Sequence, residues 1–106
     1  MKTILRASLA VLTLALVFST YTFAEGGAET FKAKCAACHG ATGAGDTTMG
    51  KNLKIRDLGS ADVQKQSDAD LDTIITKGKG KMPAYDGKLT KEQIDGLVKY
   101  IRTLKK

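Results

Sequence analysis

This 106-residue chain has two cysteines, one histidine, one proline and no tryptophan. Two cysteines and a lone histidine fall one ligand short of the usual four-ligand shell of a structural zinc site. No stretch alternates apolar and polar residues as a half-buried strand does, so no sheet is expected. The βαβ surroundings of a thioredoxin-like redox pair are missing for the same reason. No segment repeats. The formal net charge is +6, yet no arginine-rich stripe exists, which counts against nucleic acid as a partner. The strongly apolar run Leu9 to Phe18 is shorter than the roughly 20 residues that a bilayer span needs.

The N-terminus has the anatomy of an export signal. Lys2 and Arg6 precede an uncharged run from Ala7 to Phe23, and Thr22-Phe23-Ala24 offers small residues for cleavage. A signal peptide is therefore expected over 1–24, and a periplasmic domain, peripheral to the membrane, over 25–106. The whole uncharged stretch nearly reaches spanning length, so an uncleaved anchor is the alternative. Loss of Lys2 and Arg6 lowers the net charge from +6 to +4. A domain this small often takes part of its stability from a disulfide, a metal or a cofactor.

Helical patterning accounts for the rest of the chain, and the fold class is all-α. A first helix is expected from about Ala28 to Cys35, with Phe31 as its large apolar residue. Ala41 to Gly50, rich in Gly, Thr and Ala, reads as a surface loop, and Asn52 to Leu58 as an irregular segment turned inward at Leu53, Ile55 and Leu58. Ser67 caps a short helix with Leu71, Ile74 and Ile75 on one face, which stops at Gly78. Thr90-Lys91-Glu92-Gln93 is a capping box ahead of an amphipathic helix with Ile94, Leu97, Val98, Ile101 and Leu104 in its apolar stripe.

The chemistry concentrates at Cys35-Ala36-Ala37-Cys38-His39. Two thiols one helical turn apart, followed directly by a histidine, form the attachment motif of a c-type haem. The thiols reach two neighbouring vinyl groups, and the imidazole then lies under the iron. A short disulfide is the competing reading, but it leaves His39 without a task. No second histidine exists to complete the axial pair, and Met82 is the leading candidate. It follows a helix stop, is flanked by Gly78, Gly80 and Pro83, and shows no helical face. Met49 competes, although a Gly/Thr loop offers little to hold it. Gly45 to Asn52 nearly matches a phosphate-binding loop, but Asn52 stands where the hydroxyl belongs and no strand precedes it. Lys77, Lys79 and Lys81 alternate beside Met82, with Lys51, Lys54 and Lys88 as candidate neighbours. Two readings stand for them: a positive rim that steers acidic redox partners, or ordinary solvated loop charge.

Taken together these residues resemble the small monohaem class I cytochromes c, over almost all of 25–106. Gly27 and Phe31 look like the first-helix residues that cross the last helix in that family, with Leu97 and Tyr100 as their counterparts. Gly50-Lys51-Asn52-Leu53 resembles the family's Gly-Pro-Asn-Leu, whose second residue offers its carbonyl to the histidine's other ring N–H. Lys51 replaces the proline here.

The resemblance implies a cytochrome c fold of three to five short helices around one haem c, attached through Cys35 and Cys38 and ligated by His39 and Met82. It implies one-electron transfer with an oxidase, reductase or dehydrogenase, no small-molecule substrate and no enzyme activity. Two alternatives differ. The chain is a haem subunit of a larger oxidoreductase, or, with Met82 off the iron, a five-coordinate haem protein that binds a small ligand.

Overall fold

The computed structural model describes residues 23–106. Of the segment read as an export signal, residues 1–22 lie outside the described residues. Among the described residues six helices follow in order: α1 Phe23–Lys34, α2 Ala36–His39, α3 Thr48–Asn52, α4 Ala61–Gln64, α5 Asp68–Lys77 and α6 Lys91–Thr103. Among the described residues the only extended pairings are two isolated bridges, Lys79 with Met82 and Asp86 with Leu89. The all-α expectation holds.

Three helices are single turns of four or five residues. Such short pieces gain little from hydrogen bonding alone and depend on packing. The turn α3 arises inside what reads as a glycine-rich loop, because the Thr47 hydroxyl accepts from the Gly50 N–H and caps it. The α4 turn has no apolar period to announce it, but it buries Val63. The long elements follow their signals more closely. Ser67 caps α5 through the Asp70 N–H, and Thr90 and Gln93 form both halves of the capping box of α6.

The main packing is α1 against α6. α1 already runs through Gly26 and Gly27, where loose chain is expected from the sequence, and the reason is contact. A Cβ on Gly27 would run into the Gly96 carbonyl, so the two backbones touch at this crossing. Below it, Phe31 meets Tyr100 with ring centroids 5.1 Å apart. Phe31, Val63, Leu71, Ile75, Ile94, Leu97, Val98 and Ile101 form the buried core. Leu97, 1% exposed, is its centre. Burial of each such aliphatic side chain contributes about 1.5–3 kcal/mol.

Candidate functional site

The core is incomplete on one side, where two adjoining cavities of about 520 and 340 Å³ open between α2, the segment after α3 and the loop after α5. Both volumes fall in the range of roughly 300–1,000 Å³ typical of small-molecule sites. Cys35, Cys38, His39 and Met82 all line the larger cavity, together with Leu53, Ile55 and Tyr85. Cys35, His39 and Met82 also line the smaller, whose apolar walls are Phe31, Leu58, Val63, Leu71 and Ile75 among others. Met49 lines neither and is 51% exposed.

The wall that carries the motif is built from backbone. The N–H groups of Cys38 and His39 both donate to the Cys35 carbonyl, at 3.2 and 3.0 Å. The Gly45 N–H donates to the His39 carbonyl at 2.7 Å, folding the following loop beneath the histidine. Thr47 donates its hydroxyl to the Cys38 carbonyl at 2.7 Å while capping α3. Nothing in the sequence pattern singles out Thr47, yet it ties α3 to the motif.

Both cysteines are free thiols and half-buried. Burial and the neighbouring Cys38 push the Cys35 thiol up to about 11. A redox-active cysteine of the thioredoxin kind needs the opposite shift, since the thiolate is its nucleophile. Burial also lowers the pKa of His39, which keeps the imidazole neutral, the form that binds a metal. Its Nδ1 is buried and makes no hydrogen bond.

Here the geometry departs from the resemblance. The Lys51 carbonyl, which the resemblance pairs with the ring N–H, makes no bond to His39 and accepts from the Lys54 N–H at 3.2 Å and from the Leu53 N–H. With the Ile55 N–H donating to the Gly50 carbonyl at 2.9 Å, this closes α3 in a Schellman motif. Lys54 occupies the left-handed position of that motif, φ 54°, where glycine is usual.

The second wall is the loop from Gly78 to Leu89. Gly78, φ +74°, turns the chain out of α5, and a Cβ there would lie 2.6 Å from the Met82 carbonyl. The Met82 N–H donates back to the Lys79 carbonyl at 3.0 Å, so Lys79 to Met82 is a tight turn with Gly80 at its tip. Met82 leaves this turn half-buried and packed against the core. Tyr85 then bridges: its N–H donates to the Ile75 carbonyl at 3.1 Å and its hydroxyl to the Lys34 carbonyl at 3.0 Å. Burial first, then the two nearby thiols, push the Tyr85 hydroxyl above its usual range. The rim lysines of the larger cavity are Lys34, Lys54, Lys79 and Lys81, all exposed. Lys51, Lys77 and Lys88 do not line it.

A haem c fits these residues. Two thiols and one neutral imidazole share a wall with an orphaned buried ring nitrogen, across an apolar cavity from the Met82 loop. Among the described residues no group of three or more His, Cys, Asp or Glu could hold a bare metal ion.

Comparisons with known proteins agree. The family model described as cytochrome C oxidase, cbb3-type, subunit III matches residues 23–101. The chain is 36% identical to a cytochrome c6 of Picosynechococcus sp., over 95% of this chain and 92% of that protein. It is 38% identical to a cytochrome c6 of Leptolyngbya boryana, over 74% of this chain and 88% of its relative. A solved c-type cytochrome, KustC0563, superposes with a TM-score of 0.70 at 33% identity, over 76% of this chain and 98% of that one. Similarity of that extent, joined to an apolar cavity behind a Cys-x-x-Cys-His turn, means that the chain belongs to the small class I monohaem cytochromes c and is an electron carrier of that family.

Proposed function

We propose that this chain is a periplasmic one-electron carrier, exported by residues 1–24 and working as the domain 25–106. Its single haem c is attached through Cys35 and Cys38, with the iron held by His39 and Met82. The observation that supports this reading is the meeting of those four side chains on one cavity, with Met49 left outside it. Bound there, haem supplies an iron that takes up and releases one electron.

The chain's own residues do the rest. Neutral His39 offers a ring nitrogen, and the thioether of Met82 is a soft neutral donor that favours the reduced metal and raises the potential. The apolar walls Phe31, Leu58, Val63 and Ile75 keep water from the ligands, so little solvent has to reorient when charge changes. The exposed rim of Lys34, Lys54, Lys79 and Lys81 presents positive charge at the cavity mouth, suited to acidic docking surfaces on an oxidase, reductase or dehydrogenase. The chain is read as a carrier with no enzyme activity of its own. A second reading, a haem subunit of a larger oxidoreductase, is favoured by the subunit description of the matching family model. Copurification with a catalytic subunit separates the two.

The axial assignment is tested by redox titration and ferric-state spectroscopy of the purified holoprotein and its Met82→Ala variant. Loss of the thioether is expected to lower the potential by at least about 120 mV, a hundredfold shift toward ferric iron. Unchanged ligation and potential would overturn the assignment.

A further inference from the structure

The turn Lys79 to Met82 makes no backbone hydrogen bond outside itself among the described residues. Its N–H and carbonyl groups close on one another, and Gly80 at the tip has nothing within 4 Å of a Cβ position. Packing of the Met82 side chain against the core and contacts beyond the turn therefore keep it over the cavity. The next side chain that reaches across is Tyr85. Its backbone is fixed to α5 at Ile75, and the Asp86 N–H beside it donates to the Thr76 carbonyl at 3.0 Å. The N–H groups of Lys88 and Leu89 both donate to the Tyr85 carbonyl at 3.0 Å, which closes the return turn around it. Its hydroxyl then crosses to the Lys34 carbonyl at 3.0 Å, a contact between residues 51 apart in sequence. Lys34 is the last residue of α1, where a helix leaves carbonyls without an internal partner. It also directly precedes Cys35. A single hydroxyl thus joins the loop that presents Met82 to the helix end that presents the first thiol.

We propose that Tyr85 is a positioning residue, a latch whose hydroxyl holds the Met82 loop closed against α1 and so sets how often the Met82 thioether withdraws. This rests on the reading of Met82 as an axial ligand. An exogenous ligand competes for the place that Met82 holds, and its apparent affinity scales with the fraction of molecules in which the loop is open. The hydroxyl makes one neutral hydrogen bond, so its removal raises that open fraction by about two- to tenfold.

The test is imidazole titration of the oxidised holoprotein in four forms: wild type, Tyr85→Phe, Met82→Ala and the double variant. Phenylalanine keeps the ring that packs in the cavity wall and deletes only the donor. The expected result is a two- to tenfold rise in imidazole affinity for Tyr85→Phe and a far larger rise for Met82→Ala. The double variant is expected to match Met82→Ala, because without the thioether there is nothing left to latch. An unchanged Tyr85→Phe beside a raised Met82→Ala overturns the latch and leaves the axial assignment intact. An equal rise from Tyr85→Phe in both backgrounds also overturns it, since the hydroxyl would then act on entry to the cavity and not through Met82. If Met82→Ala itself binds imidazole no better than wild type, the axial assignment fails and the latch fails with it.

Discussion

The two walls of the cavity are built by opposite means. Around Cys35, Cys38 and His39 the backbone is closely hydrogen-bonded, and the chain is packed against itself. Gly50 is the measure of that density: a Cβ there would lie 2.5 Å from the Gly45 carbonyl oxygen and 2.6 Å from that of Cys38. Opposite, only the base of the Met82 loop is so filled, at Gly78, while Gly80 and Gly87 stand in open space. One wall is a closely packed socket. The other is a tethered strap whose tip is free and whose position depends on a few distant contacts.

Substitution at the two kinds of glycine should expose that difference most plainly. Gly50→Ala puts a methyl group against two backbone oxygens that cannot turn aside. Overpacking ordinarily costs about 1–3 kcal/mol, and rigid backbone neighbours place this case near 3 kcal/mol. Thermal unfolding of the holoprotein should show a fall in Tm of more than about 10 °C. A fall of only a few degrees would mean that the His39 wall gives way as easily as the strap.

Gly80→Ala meets no atom at all. Its cost is the left-handed backbone, φ +59°, roughly 1–2 kcal/mol, offset by about 0.5–1 kcal/mol because alanine leaves the unfolded chain less freedom, a net loss of about 0.5 kcal/mol. The same melting experiment should return a drop of roughly 2–4 °C. The potential should stay near that of wild type, because Met82 itself is anchored through the base of the loop and Tyr85. A large shift in potential would place the tip of the strap in control of the ligand.

The unequal legibility of the two walls follows from the same difference. Cys35, Cys38 and His39 fall within five residues, so this wall of the cavity is readable as a motif. The turn that carries Met82 is readable from the punctuation around it, Gly78, Gly80 and Pro83. What positions them is not. Tyr85 acts through a bond spanning 51 residues, and Thr47 through one spanning nine. Gly96, where the helices touch, lies beside the Leu97 and Tyr100 that the family likeness suggests, and its importance depends on the distance to Gly27. The α4 turn escapes notice because four residues carry no period. The rim lysines divide by geometry that alternation along the chain does not reveal: Lys79 and Lys81 face the cavity mouth with Lys34 and Lys54, while Lys77 does not.

The socket has one strained joint, and relieving it sharpens the contrast from the other direction. Lys54 holds the left-handed position that closes α3, at φ 54°, and a side chain there costs roughly 1–2 kcal/mol relative to glycine. Glycine recovers that strain but gives the unfolded chain more freedom, an opposing effect of about 0.5–1 kcal/mol. Lys54→Gly should therefore stabilise the holoprotein by about 0.5 kcal/mol, a rise in Tm of roughly 2–4 °C. The Schellman closure would persist, with the Lys51 carbonyl still accepting from residue 54. A melting temperature that falls instead would show that the Lys54 side chain contributes more at the cavity rim than its backbone conformation costs.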